Sequence, residues 1–212
     1  MSGPSAFQIE VAQLFFSLPA SDGFLIAGGG ALLAAGLTSR PTRDLDFFGE
    51  LGLTNVNEAM VQFVAAANNR QWVCVVVQAD DSFVRLHVKG TDEVLVDIAI
   101  DVGARYPSQN SVLGPTFNHE ELAGRKMLAL FDRAEARDFA DVFVLASRFG
   151  KELLLVRAAE IEASLDFAVF AQMMRTISRF SNQEIPINQT LVQDLRSFFD
   201  AWAQELHPAD LR

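Results

Sequence analysis

The chain contains one cysteine, one tyrosine and three histidines in 212 residues. The lone cysteine, Cys74 in "WVCVVVQ", excludes an intrachain disulfide and reads as a buried core thiol. His87, His119 and His207 lie too far apart to share a metal, and no Ser-His-Asp set is suggested. With 18 phenylalanines against the single tyrosine, aromatic side chains are expected to pack rather than to stack on bases. No apolar run approaches the roughly 20 residues a membrane helix needs. The start, "MSGPSAFQIEVAQLFF", lacks the basic opening of a signal peptide, so a cytoplasmic location with no membrane partner is expected. Positive charge is scarce too: Lys and Arg number 17 against 27 Asp and Glu, a net charge of -10. That excludes coating nucleic acid by bulk charge but leaves room for a local basic groove.

What is present is hydrophobic: half of the residues, enough for one large domain or two smaller ones. "VAQLFF" lies in a short amphipathic helix, Ile9 to Leu18. "FLIAG" reads as a compact strand and "GALLAAG" as a short helix stopped by Gly36. "DLDFF" alternates as a strand with one wet face. A helix is predicted over Asn55 to Asn69, and then three strands, "WVCVVVQ", "SFVRLHVKG" and "EVLVDIAID", with turns at Asp80-Asp81 and Gly90-Thr91-Asp92 that suit an antiparallel meander. Gly103 to Phe117 reads as a loop. From Asn118 on, only helical periodicity remains, opened by Asn118 and Glu121 at capping-box spacing. The expected fold class is α+β: a mixed, mainly antiparallel sheet with flanking helices over residues 1–117, followed by an α-helical lobe over 118–212.

The stretch with the most chemistry is "AGGGALLAAGLTSRPTRDLDFFGE", Ala27 to Glu50. In a strand, residues i and i+2 share a face, so Asp44 and Asp46 project together while Leu45 and Phe47 enter the core. Two adjacent carboxylates repel unless a cation joins them. Mg²⁺ takes oxygen ligands, commonly one or two carboxylates plus substrate phosphates. A strand, three glycines and a helix start supply the other half: backbone N–H groups with no side chain in the way, a cradle for phosphate. Gly29 and Gly30 are the expected phosphate contacts. Arg40 and Arg43 then serve as cations beside a polyphosphate or as partners of the aspartates. Three glycines alone occur in tight turns, and D-x-D alone on solvated strand faces; their conjunction is the specific signal.

Nucleotidyl transfer needs one further acceptor, as metal ligand or base. In "EVLVDIAID", Asp97 lies mid-strand among apolar residues and Asp101 at the strand's end. Asp97 is the candidate; its alternative is a hydrogen-bonded structural aspartate.

Together these residues resemble the DNA polymerase beta-like nucleotidyltransferase superfamily, with the form around the glycines closest to its AbiEii/MenT branch. "RKMLALFDR" is similar to that branch's second motif, carried over as Lys126 and Arg133; "ARDFADVFVL" is similar to its third, carried over as Arg137, Asp138 and Asp141. Gly30 stands where the branch usually has serine or threonine. The resemblance implies transfer of a nucleoside monophosphate from an NTP, with Mg²⁺ or Mn²⁺ on Asp44, Asp46 and Asp97. Lys126, Arg133, Asp138 and Asp141 are implied at the nucleotide. It also implies an RNA acceptor, foremost the tRNA 3′ end, a toxin role and a cognate antitoxin partner. A monomer is expected. The alternative is transfer to a small molecule such as an aminoglycoside.

Overall fold

The computed structural model describes residues 3–206; His207 lies outside them. Two compact units divide the chain, Met1–Leu122 and Ala123–Arg212.

The first unit is a sheet with helices. Ser5 opens helix α1 (Ala6–Phe16) with a reciprocal capping box to Gln8, which satisfies two otherwise orphaned N–H groups. Strand β1 (Leu25–Ala27) leads straight into α2 (Gly28–Ala34), β2 (Asp44–Glu50) follows, and Asn55 caps α3 (Val56–Asn69). The meander is β3 (Val73–Ala79), β4 (Phe83–Lys89) and β5 (Glu93–Asp101). All three pair antiparallel, as the turn residues predict.

With two short strands further on, β6 (Gln109–Ser111) and β7 (Gly114–Thr116), the strand order is β3-β4-β5-β2-β1-β7-β6. The pairings β2/β5 and β1/β7 are parallel and the others antiparallel. The mixed, mainly antiparallel sheet expected from the sequence is therefore present. Alternation sets its two faces. Leu45, Phe47, Val84, Leu86, Val88, Val94, Val96 and Ile98 are buried on one side. That side carries Phe15 of α1, whose ring stacks on Phe47 with centroids 3.9 Å apart. Each large apolar side chain buried there contributes about 1.5–3 kcal/mol.

Two local expectations are corrected. Residues 103–117 are not simply a loop: they hold a hairpin, β6 (Gln109–Ser111) and β7 (Gly114–Thr116). Three-residue strands are too short to show a period of two. Thr116 ties β7 into the sheet by donating Oγ1–H to the Ile26 carbonyl at 2.9 Å. Glu121 is buried and accepts hydrogen bonds from the Arg105 and Tyr106 N–H groups, while Asn118 Oδ1 accepts the Glu120 N–H at 2.9 Å at the start of the next helix. Cys74 is half-buried rather than core, because β3 is an edge strand exposed on both faces; burial pushes its thiol pKa up.

Helix α4 (His119–Asp132) begins in the first unit and continues into the second. There α5 (Ala136–Phe149), α6 (Lys151–Ile161), α7 (Phe167–Arg175) and α8 (Val192–Glu205) follow. Gly150, at φ +81°, ends α5 and starts α6 in a left-handed conformation that suits glycine. Phe139, Phe170, Phe199 and Trp202 form a fully buried aromatic cluster, with Phe139 edge-on to Phe199 at 5.0 Å. Phe170, Met174 and Ile177 are also core, and Met173 and Phe180 are half-buried.

Candidate active site

Strand β2 places Asp44 and Asp46 on the open face of the sheet, each half-exposed, while Leu45 and Phe47 are buried behind them. Register then brings residues from distant parts of the chain into one row. Asp46 stands opposite Ala27 of β1 on one side and Asp97 of β5 on the other; Asp97 stands opposite Arg85 of β4. Directly opposed residues point to the same face. Asp46, Asp97 and Arg85 are therefore side by side.

The glycines end at the same place. Gly28 has φ +62°, and a Cβ added there would fall on the Asp46 carboxylate. The glycine is required twice: for a backbone conformation unfavourable to other residues, and for the room Asp46 occupies. Gly29 is half-exposed; a Cβ there would lie 3.1 Å from Nη2 of Arg40 and 3.4 Å from Oγ1 of Thr42. The Arg40 guanidinium thus lies beside the glycine turn. Gly30 is buried, its would-be Cβ 3.3 Å from the Asp44 carbonyl oxygen. Its lack of a side chain serves the close approach of α2 to β2. Gly28 is the glycine that sequence reasoning passed over. Thr42 shapes the entry to β2 by accepting the Asp44 N–H at 3.3 Å, and its carbonyl accepts from Gln8 at 2.9 Å.

Asp97 is 7% exposed and engages Arg85 through both oxygens, from Nε at 2.7 Å and from Nη2 at 2.6 Å. This bidentate geometry is the strong form of carboxylate recognition. The hydrogen bond to Asp97 raises the Arg85 pKa most; burial opposes, and the charges of Asp97, Asp44 and Asp46 add to the rise. Arg85 feels all three carboxylates. Sequence reasoning missed it, although a signal was present. The antiparallel turn at Gly90-Thr91-Asp92 is centred on Thr91, and Arg85 and Asp97 are equidistant from it, 91 − 85 = 97 − 91 = 6.

In the second unit, α4 and α5 bring together the four residues implied by the resemblance, Lys126, Arg133, Asp138 and Asp141. Lys126 is buried, its Nζ 3.3 Å from Asp138 and 3.2 Å from Asp141, both fully buried. Arg133 clamps Asp138 with Nε at 2.9 Å and Nη2 at 3.0 Å. Burial by itself pushes the Asp138 pKa up and is the largest influence. The Arg133 hydrogen bonds and the charges of Lys126 and Arg133 nevertheless hold it below the usual carboxylate range. Asp138 and Asp141 therefore hold Lys126 in place. Arg137 turns to Glu135 at 2.7 Å.

Among the described residues no group of three or more His, Cys, Asp and Glu side chains is arranged to hold a metal ion. The pair Asp44 and Asp46 does fit a hard divalent cation. Its donors are oxygens on one face, set against a glycine whose Cβ would fill the same space, and Mg²⁺ is commonly held by two carboxylates and substrate phosphates. No helix among the described residues is long and apolar enough to cross a membrane.

Residues 13–208 match the family described as "Nucleotidyl transferase AbiEii toxin, Type IV TA system". No curated protein sequence matches the chain. Among solved structures it resembles JHP933 from Helicobacter pylori, with a TM-score of 0.52 at 17% identity over 98% of this chain and 94% of that one. A candidate nucleotidyltransferase from H. pylori matches with a TM-score of 0.59 at 18% identity, over 100% and 98%. MenT4, the nucleotidyltransferase toxin Rv2826c of Mycobacterium tuberculosis H37Rv, matches with 0.52 at 14% identity, over 99% and 93%. These likenesses show the fold. With the family match over nearly the whole chain, they make this protein a nucleotidyltransferase of the AbiEii toxin family, whose place in type IV toxin–antitoxin systems implies an antitoxin partner.

Proposed function

We propose that the chain transfers a nucleoside monophosphate from an NTP to an RNA acceptor, the 3′ end of tRNA, releasing pyrophosphate and so blocking growth until its antitoxin acts. The observation that carries this reading is the half-exposed Asp44/Asp46 pair set against Gly28 on the open face of the sheet. Asp44 and Asp46 would hold Mg²⁺, which supplies charge neutralisation at the transferring phosphate and orients it for in-line attack.

The residues of the chain do the rest. Backbone N–H groups of the glycine turn bind phosphate oxygens, with no Cβ at Gly28 or Gly29 to keep them away. Arg40, beside Gly29, adds charge to the same phosphates. Lys126 is held in one place by Asp138 and Asp141, and Arg133 by Asp138. Fixed cations of this kind stabilise a leaving pyrophosphate without reorganising as charge develops. The protein works as a cytoplasmic monomer, with specificity for RNA set by local basic residues, since the net charge of -10 gives no general attraction.

Incubation with each α-labelled NTP, Mg²⁺ and total RNA tests the proposal. Label is expected in the tRNA band from wild type and none from Asp46→Ala. Label in an added aminoglycoside instead would select transfer to a small molecule. Undiminished labelling by Asp46→Ala would remove the metal assignment.

A further inference from the structure

The third carboxylate of the row is already occupied by a cation that belongs to the chain. Asp97 is buried to all but 7%, and both of its oxygens accept from Arg85, at 2.7 and 2.6 Å. Arg85 is fixed in this position by register, because β4 and β5 place the two residues opposite one another in an uninterrupted antiparallel ladder from Phe83↔Ala99 to Lys89↔Glu93. Its side chain remains 42% exposed. Asp97 in turn stands opposite Asp46 across β5 and β2. Two carboxylates directly opposed would repel; the guanidinium on the far side of Asp97 balances one of them. An aspartate holding a metal together with Asp44 and Asp46 would have to offer it an oxygen whose charge is already shared with the guanidinium in a short, charge-assisted hydrogen bond.

We infer that Arg85 takes the place of a cation at the third carboxylate: the metal site is a two-carboxylate site of Asp44 and Asp46, and the Arg85–Asp97 pair is a positioning device beside it. The inference rests on the reading of Asp44 and Asp46 as the metal-holding pair. The pair backs Asp46 on the β5 side with a neutral unit rather than a bare charge. It also keeps Asp97 out of the coordination sphere, so a third ligand is supplied by the nucleotide phosphates rather than by the protein.

Titration with Mn²⁺ alone, followed by the EPR signal of the free ion, separates the possibilities. Asp46→Asn is expected to weaken Mn²⁺ binding by 10-fold or more; wild-type affinity there would remove the underlying reading. The double variant Arg85→Met/Asp97→Asn deletes the pair as a unit of similar size without leaving a lone charge. It is expected to bind Mn²⁺ within about 3-fold of wild type. A loss beyond that, with Asp46→Asn behaving as expected, would make Asp97 a ligand and overturn the inference alone. A second measurement needs no variant to fold. In ¹⁵N-labelled wild-type protein, the protected Nε–H resonance of Arg85 is expected to survive saturation with Mg²⁺ alone. Its exchange-broadening on Mg²⁺ addition would show Asp97 released from Arg85 and would equally overturn the inference.

Discussion

Three adjacent glycines should respond to alanine in three different ways. At Gly28 the φ of +62° disfavours any Cβ by about 1–2 kcal/mol, and the added carbon would fall on the Asp46 carboxylate. Asp46 is the residue that must move. At Gly29 the nearest atom is Nη2 of Arg40, 3.1 Å away at the far end of a flexible side chain. Alanine there gains about 0.5–1 kcal/mol of helix preference at little steric cost. At Gly30 the nearest atom is the Asp44 carbonyl oxygen at 3.3 Å, backbone of an internal strand that cannot yield freely. For a chain of this size 1 kcal/mol shifts Tm by about 2–4 °C. Gly28→Ala is therefore expected to melt about 2–8 °C lower and to bind Mn²⁺ at least 10-fold more weakly. Gly29→Ala should melt at or slightly above wild type and keep Mn²⁺ binding. Gly30→Ala should be mildly destabilised with Mn²⁺ binding kept. Thermal melts and EPR titrations of the three variants decide the matter. Wild-type Mn²⁺ affinity in Gly28→Ala would refute the claim that this glycine makes room for a ligand.

Lys126→Met leaves Asp138 and Asp141 buried with one cation fewer, and breaking such a pair costs about 3–5 kcal/mol. Urea unfolding should register most of that loss, and adding Asp141→Asn should restore part of it; a change under about 1 kcal/mol would contradict the burial argument. Because the folded Asp138 carboxyl sits below its ordinary value of about 3.9, its contribution is fully present above that pH and is lost as pH falls through the lowered folded value. Denaturation midpoints measured from pH 6 to pH 3 should therefore drop more steeply for wild type than for Asp138→Asn. Gly124→Val should be severely destabilising, since even a Cβ at Gly124 would lie 2.7 Å from Cβ of Arg157 and 2.8 Å from its backbone carbonyl carbon; circular dichroism of the purified variant checks it.

Much of the site was written locally. Alternation in "DLDFF" put Asp44 and Asp46 on one wet face, which depends only on the period of the strand that carries them. Lys126, Arg133, Asp138 and Asp141 were legible through short motifs that resemble the family's, which are likewise a property of local sequence. The short strands of 109–116 have no room for a period and were invisible.

Pairing between distant segments belonged to the tertiary structure. Nothing local places Asp97 beside Asp46, because β2 and β5 are joined by a long crossover and their parallel register comes from packing the whole sheet. Nor does local sequence say which glycine of three meets Asp46; that follows from the antiparallel contact of β1 with β2. The sequence by itself determined which residues carry charge and which face they occupy. The folded sheet decided their neighbours, and so decided that the third carboxylate faces an arginine.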